Sequence, residues 1–410
     1  MKTIKISGSG PLIPMIMAGM MIVGLASRQS LGQNFQSFGE FREALGNITG
    51  ISDSTERIRQ ENDFWSRLKA DHQIPFKLGD SVAFLYRAKA GTVSWAGDFN
   101  GWKPAQPGYI GVRQGNSDIW LAVQKFPPDA RLDYKIITDG NWILDPDNPY
   151  TQMGGMGLNS ELHMPDWRFP DDTEPVADMI RGKLSDSNLI MSKNLGYEVS
   201  YRVYTPYNYT TSEGLPVIYV TDGQDYTDDE KGAMLIVLDN LIFREEIRPL
   251  IAVFLDPREP GNPSNNRRLE EYNCSQKFAD FLGDELVPLI DKTYKTHVCP
   301  DDRAILGTSV GGINSAWIGA VRVNDFHLLG INSPAFTKVV LDRFSKLDWY
   351  PFRVFMTTGV YFDTQKQALD MKAILEKNKV DFQYREVNEG HSWGNWRALM
   401  GDMLRYFFHL

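Results

Sequence analysis

The six residues Gly307-Thr308-Ser309-Val310-Gly311-Gly312 constrain this chain more than any other stretch. They follow a short apolar run, Ala304-Ile305-Leu306, and lead into a small-residue segment, Ile313-Asn314-Ser315-Ala316-Trp317, suited to a helix. A G-x-S-x-G sequence carries mechanistic meaning when it joins a strand to a helix. The turn is so sharp that glycines must flank the serine, because side chains there would strike the neighbouring strand or helix. It lifts the serine hydroxyl clear of the sheet. The next amide, on Val310, then points towards a developing oxyanion at a helix N-terminus.

A serine hydroxyl becomes nucleophilic when a base takes its proton. The chain has six histidines: His72, His163, His297, His327, His391 and His409. Enzymes built on this turn run in the order nucleophile, acid, histidine, so the base must follow Ser309. His327 sits beside Phe326 and Leu328 in what reads as the next buried strand and is structural. His409 is the penultimate residue, where order is least expected. His391 closes an alternating run, Phe382-Gln383-Tyr384-Arg385-Glu386-Val387, in the loop Asn388-Glu389-Gly390-His391-Ser392-Trp393. It is the predicted base. The orienting acid belongs on the loop after the strand between them. That strand is Phe352-Arg353-Val354-Phe355-Met356-Thr357-Thr358-Gly359, and Asp363 follows it. Asp363 also stands where a plain N-cap of the next helix, residues 364–377, would stand. Asp370, one to two turns into that helix, is the weaker alternative.

Residues 195–410 resemble the esterase D and enterochelin-esterase branch of the α/β-hydrolases. The resemblance rests on Tyr219-Val220-Thr221-Asp222-Gly223-Gln224-Asp225-Tyr226, Arg268-Leu269-Glu270-Glu271-Tyr272, Phe281-Leu282-Gly283-Asp284-Glu285-Leu286-Val287-Pro288, the Ser309 turn, and Gly390-His391-Ser392-Trp393-Gly394-Asn395-Trp396-Arg397. It implies a second oxyanion donor at Gly223 or Gln224. A glycine turn directly after a central strand does place N–H groups at the sheet's C-terminal edge, although a tight strand–helix connection alone would also use Gly223. The resemblance also puts Arg268 near the substrate, where a guanidinium suits an anionic or phenolic group. An i,i+3 ion pair with Glu271 is the competing role. Trp393 could line an aromatic acyl pocket, whereas Trp396 reads as packing for the terminal helix.

The N-terminal half is a different object. Between residues 75 and 168 short alternating segments are separated by turns, as in a β-sandwich. They include Ser81-Val82-Ala83-Phe84-Leu85-Tyr86, Thr92-Val93-Ser94-Trp95, Trp120-Leu121-Ala122-Val123, Leu132-Asp133-Tyr134-Lys135-Ile136-Ile137 and Asn141-Trp142-Ile143-Leu144. Thr138-Asp139-Gly140 is a hairpin signal. The stretch resembles the glycogen-binding, immunoglobulin-like early-set module found beside glycan-active enzymes. That resemblance implies sugar contact through Trp102, Lys135, Trp142 and Asn159; indole faces stack on sugar rings while lysine and asparagine bind hydroxyls. Such a module can also simply pack against the catalytic domain and shape its entrance. Trp95 reads as core.

At the start, Lys2 and Lys5 precede an apolar run, residues 11–26, followed by small residues; residues 1–32 read as a signal peptide, with an uncleaved anchor as the alternative. Residues 33–74 are predicted to form polar, amphipathic helix that wraps or bridges the two domains, with residues 169–194 as a linker. Fifty-two acidic against 43 basic residues and no basic tract argue against nucleic acid. Cys274 and Cys299 could pair in an exported protein, but spacing alone does not set the geometry. No metal-ligating cluster or phosphate-cradling glycine loop is present in the sequence, so no cofactor and no metal are expected.

The sequence therefore predicts a secreted or periplasmic serine carboxylesterase, an α/β-hydrolase domain behind an all-β sandwich. No stable membrane span is expected after signal cleavage. The resemblance implies an enterochelin-like catecholate ester as substrate, with a feruloyl or acetyl ester on plant polysaccharide as the second class. A non-catalytic glycan-binding protein on the same fold is the other class of function, and a peptidase or acyltransferase would share the nucleophile chemistry.

Overall fold

The computed structural model describes residues 34–410. The expected signal segment lies outside the described residues. Two antiparallel sheets form the N-terminal unit. The first has the order β1 (Phe76–Leu78), β2 (Ser81–Arg87), β5 (Ile119–Lys125), β4 (Val112–Arg113); the second has β3 (Val93–Gly97), β6 (Arg131–Thr138), β9 (Gly157–His163), β8 (Thr151–Gly154), with β7 (Asn141–Ile143) paired to β6. Strand β2 shows why the sequence reads as apolar on both faces. Val82 and Phe84 point into the core between the sheets, together with Trp95, Tyr134 and Leu162. Ala83 and Leu85 point the other way, against Phe41, Phe64, Trp65 and Leu68. Strands β6 and β7 are joined by Asp139 at φ 47° and Gly140 at φ 83°, with Thr138 opposite Asn141; two left-handed residues match the turn that a two-residue hairpin requires.

The N-terminal helices Phe38–Thr49 and Ser54–Ala70 are capped by Ser37 and Asp53, whose side chains accept from the Glu40 and Glu56 amides. They cover the outer face of the first sheet, with Phe41 stacked on Phe76 at 4.0 Å. Of the two expected arrangements, wrapping or bridging, the helices wrap the sandwich: their apolar stripe is covered by the outward residues of β2 and β5.

The C-terminal unit is a nine-stranded sheet with the path β10 (Lys183–Leu184), β12 (Glu198–Thr205), β14 (Ile251–Asp256), β13 (Val217–Val220), β17 (Arg303–Thr308), β18 (Leu328–Asn332), β19 (Arg353–Gly359), β20 (Asp381–Val387); β11 (Asn188–Met191) also pairs with β12. A two-stranded ribbon, β15 (Arg258–Glu259) and β16 (Asn262–Asn266), leads to Arg268. From β14 to β20 the strands are parallel and buried on both faces by helices, as all-parallel pairing demands. This is the α/β-hydrolase arrangement. The predicted linker, residues 169–194, is corrected at its C-terminal end, where β10 and β11 hydrogen-bond to β12 and so belong to the sheet. Its beginning is also fixed: Asp172 pairs with Arg244 and Arg405. No described helix is long and apolar enough to cross a membrane.

Candidate active site

Three adjacent loops at the C-terminal edge of the parallel sheet carry the predicted triad. Strand β17 ends at Thr308, and Ser309 turns directly into the helix Val310–Val321. Ser309 has φ 60° and ψ −116°, a strained setting for a residue with a side chain. A Cβ on Gly307 would run into the backbone of Gly311, which explains the glycines around the serine. The Ser309 amide donates to the Asn332 carbonyl at 2.8 Å and ties the turn to β18. As first residue of its helix, Val310 has a free amide beside the Ser309 side chain.

Strand β19 delivers Asp363 and strand β20 delivers His391. The His391 Nδ1 lies 2.6 Å from Asp363 Oδ1. The second Asp363 oxygen accepts from the Ser333 hydroxyl and the Gly359 amide, each at 2.6 Å. Burial alone would raise the Asp363 carboxyl, but the His391 contact, then Ser333 and Gly359, outweigh it and hold it below its ordinary value. With Nδ1 engaged, His391 presents Nε2 to the cavity. Ser309 Oγ makes no hydrogen bond to His391 among the described residues, an open geometry common before substrate arrives. Thr364, not Asp363, stands at the N-cap position of the following helix, and its side chain makes no capping hydrogen bond there. The alternative acid, Asp370, is exposed and faces Lys366.

Ser309 and His391 open on a cavity of about 520 Å³ between the two units. Its hydrolase wall includes Asp222, Asp225, Arg268, Thr308, Trp393 and Trp396. Its other wall is the sandwich: Asp98, Trp102, Asp133, Lys135, Trp142 and Asn159, with Met156 at the 154–156 turn.

A family model described as "Putative esterase" matches residues 192–351. The uncharacterized protein YjcH of Bacillus subtilis (strain 168) is 26% identical over 226 residues, 52% of this chain and 93% of YjcH. An endo-1,4-beta-xylanase/feruloyl esterase of Xylanibacter ruminicola is 25% identical over 233 residues, 54% of this chain and 31% of that protein. The chain thus spans about a third of that relative's length. The crystal structure of the enterobactin esterase FES from Shigella flexneri superposes with a TM-score of 0.64 at 20% identity, covering 79% of this chain and 92% of the other. That likeness is one of fold, and its share is too large for the hydrolase sheet and helices alone. The chain is a carboxylic ester hydrolase.

The other predicted residues of this esterase fall as follows. Arg268 Nε donates to both Asp222 oxygens, at 2.8 and 2.9 Å, and another guanidinium nitrogen donates to the Thr308 carbonyl at 3.0 Å. Glu271 instead accepts from the Tyr197 hydroxyl, so the helical pair with Arg268 does not form. Gly223 and Gln224 line a separate recess with Ser187, Tyr201 and Arg258, while their neighbours Asp222 and Asp225 face the Ser309 cavity. Neither Gly223 nor Gln224 is among the residues that line the Ser309 cavity. Trp393 packs edge-on to Tyr226 and Trp396, with its remaining surface on the cavity.

All four residues assigned to sugar contact share the cavity with Ser309. They are not a remote patch. Trp102 donates to Asp98 at 3.2 Å and Asn159 donates to Asp133 at 3.2 Å, so both are partly committed within the sandwich. Lys135 has no ion pair among the described residues, and Trp142 is exposed at the rim. Cys274 and Cys299 are free thiols.

Sequence reasoning missed Ser333 and Arg131. Ser333 stands directly after β18 with φ 41° and joins two site residues: Trp396 Nε1 donates to its hydroxyl at 2.7 Å, and that hydroxyl donates to Asp363. The residues Asn332-Ser333-Pro334 at a strand end were the available signal. Arg131 opens β6 and gives no local signal.

Proposed function

We propose that the chain is a serine carboxylesterase working through an acyl-enzyme. The observation that carries this reading is the 2.6 Å contact between His391 and buried Asp363, on a cavity shared with the strained Ser309 turn. Ser309 Oγ attacks the ester carbonyl while Nε2 of His391 takes its proton. Asp363 fixes the tautomer and stabilises the imidazolium. The Val310 amide receives the oxyanion. His391 then returns the proton to the leaving alcohol, and water repeats the sequence in reverse to release the acid.

The leading substrate class is an ester with a phenolic or anionic acyl part, of the catecholate type. Four indoles (Trp102, Trp142, Trp393 and Trp396) offer aromatic surface, and Lys135, without an ion pair among the described residues, supplies positive charge. The name of the structural relative points the same way. A hydroxycinnamoyl ester on a polysaccharide is the second reading. It is favoured by Trp102 and Trp142 on the sandwich wall, where the alcohol part would extend, and by the name of the Xylanibacter relative. We read the sandwich as an early-set, immunoglobulin-like module, on its two facing antiparallel sheets. Export, with residues 1–32 removed, rests on Lys2, Lys5 and the apolar run after them; N-terminal sequencing of the protein recovered from its natural host tests it.

Hydrolysis of p-nitrophenyl acetate, methyl ferulate, and apo- and ferric enterobactin by the full chain, beside Ser309→Ala, tests the function. Loss of turnover in the variant and a preference among the natural esters are expected. Equal rates in both proteins, or none in either, would overturn it.

A further inference from the structure

The loop carrying His391 is gripped on both sides by a domain that is not the hydrolase. At Asn388 its carbonyl accepts from the Arg131 amide at 3.2 Å, and its side chain donates to Asp129 at 2.8 Å. At Glu389 and Ser392, the side chains accept from one Arg131 nitrogen at 3.3 and 3.1 Å. Gly390 and Gly394 have no room for a Cβ: the first would overlap the Asp98 carboxylate, the second the Arg131 guanidinium. Arg131 itself is 1% exposed. Its other nitrogens are fixed inside the sandwich, to Glu161 and to Asp133, each at 2.6 Å. Asp98 is fixed there too, accepting from the Asp133 amide at 2.8 Å.

A planar guanidinium with every edge occupied sets direction as well as distance. Asn388, Glu389 and Ser392, which flank His391, are thus referred to Arg131 at the start of strand β6, while the His391 ring is referred to Asp363. We propose that Arg131 is a positioning residue for the catalytic base, so that the sandwich is a working part of the esterase site and not only its outer wall. The inference rests on the role given to His391 above. Displacement of a reacting group by about 1 Å costs on the order of 100-fold in rate, so the geometry has room to matter.

The test uses the full chain and p-nitrophenyl acetate, whose small acyl group asks little of the sandwich wall. For a folded Arg131→Met protein, kcat should fall by about 100-fold with KM changed less than about 3-fold, and Arg131→Lys should recover part of the loss. The downfield proton resonance of the His391–Asp363 hydrogen bond should shift or broaden in Arg131→Met. This readout does not depend on turnover and separates failure of the positioning role from failure of the esterase reading. If Arg131→Met does not fold, the double variant Glu389→Leu/Ser392→Ala removes both loop acceptors of that Arg131 nitrogen while leaving Arg131 with Glu161 and Asp133, and the same changes are expected. A folded variant with wild-type kcat and an unchanged resonance would overturn the proposal.

Discussion

The Trp396 indole donates to the Ser333 hydroxyl at 2.7 Å, and this bond decides where the Ser333 proton goes. With its acceptor side used by the indole, the hydroxyl gives its hydrogen to Asp363. Ser333→Ala would leave the buried Trp396 N–H and one Asp363 lone pair unmatched. A loss of about 1–3 kcal/mol in stability is expected, together with a rate loss, because Asp363 is freer to rotate away from His391. Urea unfolding and kcat for the same preparation check both; unchanged stability would show that water replaces the hydroxyl.

Asp363→Asn removes the charge while keeping the shape. The amide can present its N–H to His391 Nδ1 and favour the wrong tautomer. A fall in kcat of roughly 10³–10⁴-fold is expected, with folding retained. A smaller loss than that of Asp370→Asn would return the acid role to the helix.

Glu389 gives a pH prediction. Its complete burial, only partly countered by Arg131, pushes its carboxyl up to about 7 from 4.5. Glu161 lies closer to the guanidinium and is held down at about 2, mainly against its own burial by the Arg131 charge. A raised carboxyl favours the folded state below the unfolded value of 4.5, and that advantage is withdrawn as pH rises from 4.5 to about 7. Wild type should therefore lose up to about 2.5 kcal/mol more than Glu389→Gln between pH 5 and pH 8, read by urea midpoints at each pH. Parallel curves for the two proteins would contradict it.

Lys135 tests the substrate wall. Lys135→Ala should raise KM for a catecholate or ferulate ester by up to about 5-fold and affect p-nitrophenyl acetate much less, since one solvent-accessible charge contact at a binding surface is worth up to about 1 kcal/mol. An equal effect on both esters would move Lys135 from recognition to structure.

Much of this was legible locally. The Ser309 turn, the strand before Asp363 and the alternation before His391 each carry their signal within about ten residues. So does the Asp139-Gly140 hairpin, where only left-handed residues close the turn. The errors have physical causes. Strands β10 and β11 are short and half exposed, and their pairing with β12 is visible only in the fold. The N-terminal helices show an apolar stripe but not what covers it. Arg131 reads as an ordinary charged residue at a strand start, and its partner Glu389 stands 258 positions away. A buried ion network of that separation leaves no periodicity to find.

The cavity between the two units divides inheritance as well as space. The proposed nucleophile, acid and base come from one fold, while Trp102, Lys135 and Trp142 come from another. Exchanges in the sandwich turns could redirect the enzyme to a new ester with the proton chemistry untouched. Excising the sandwich to obtain a minimal esterase would remove half of the pocket in the same stroke.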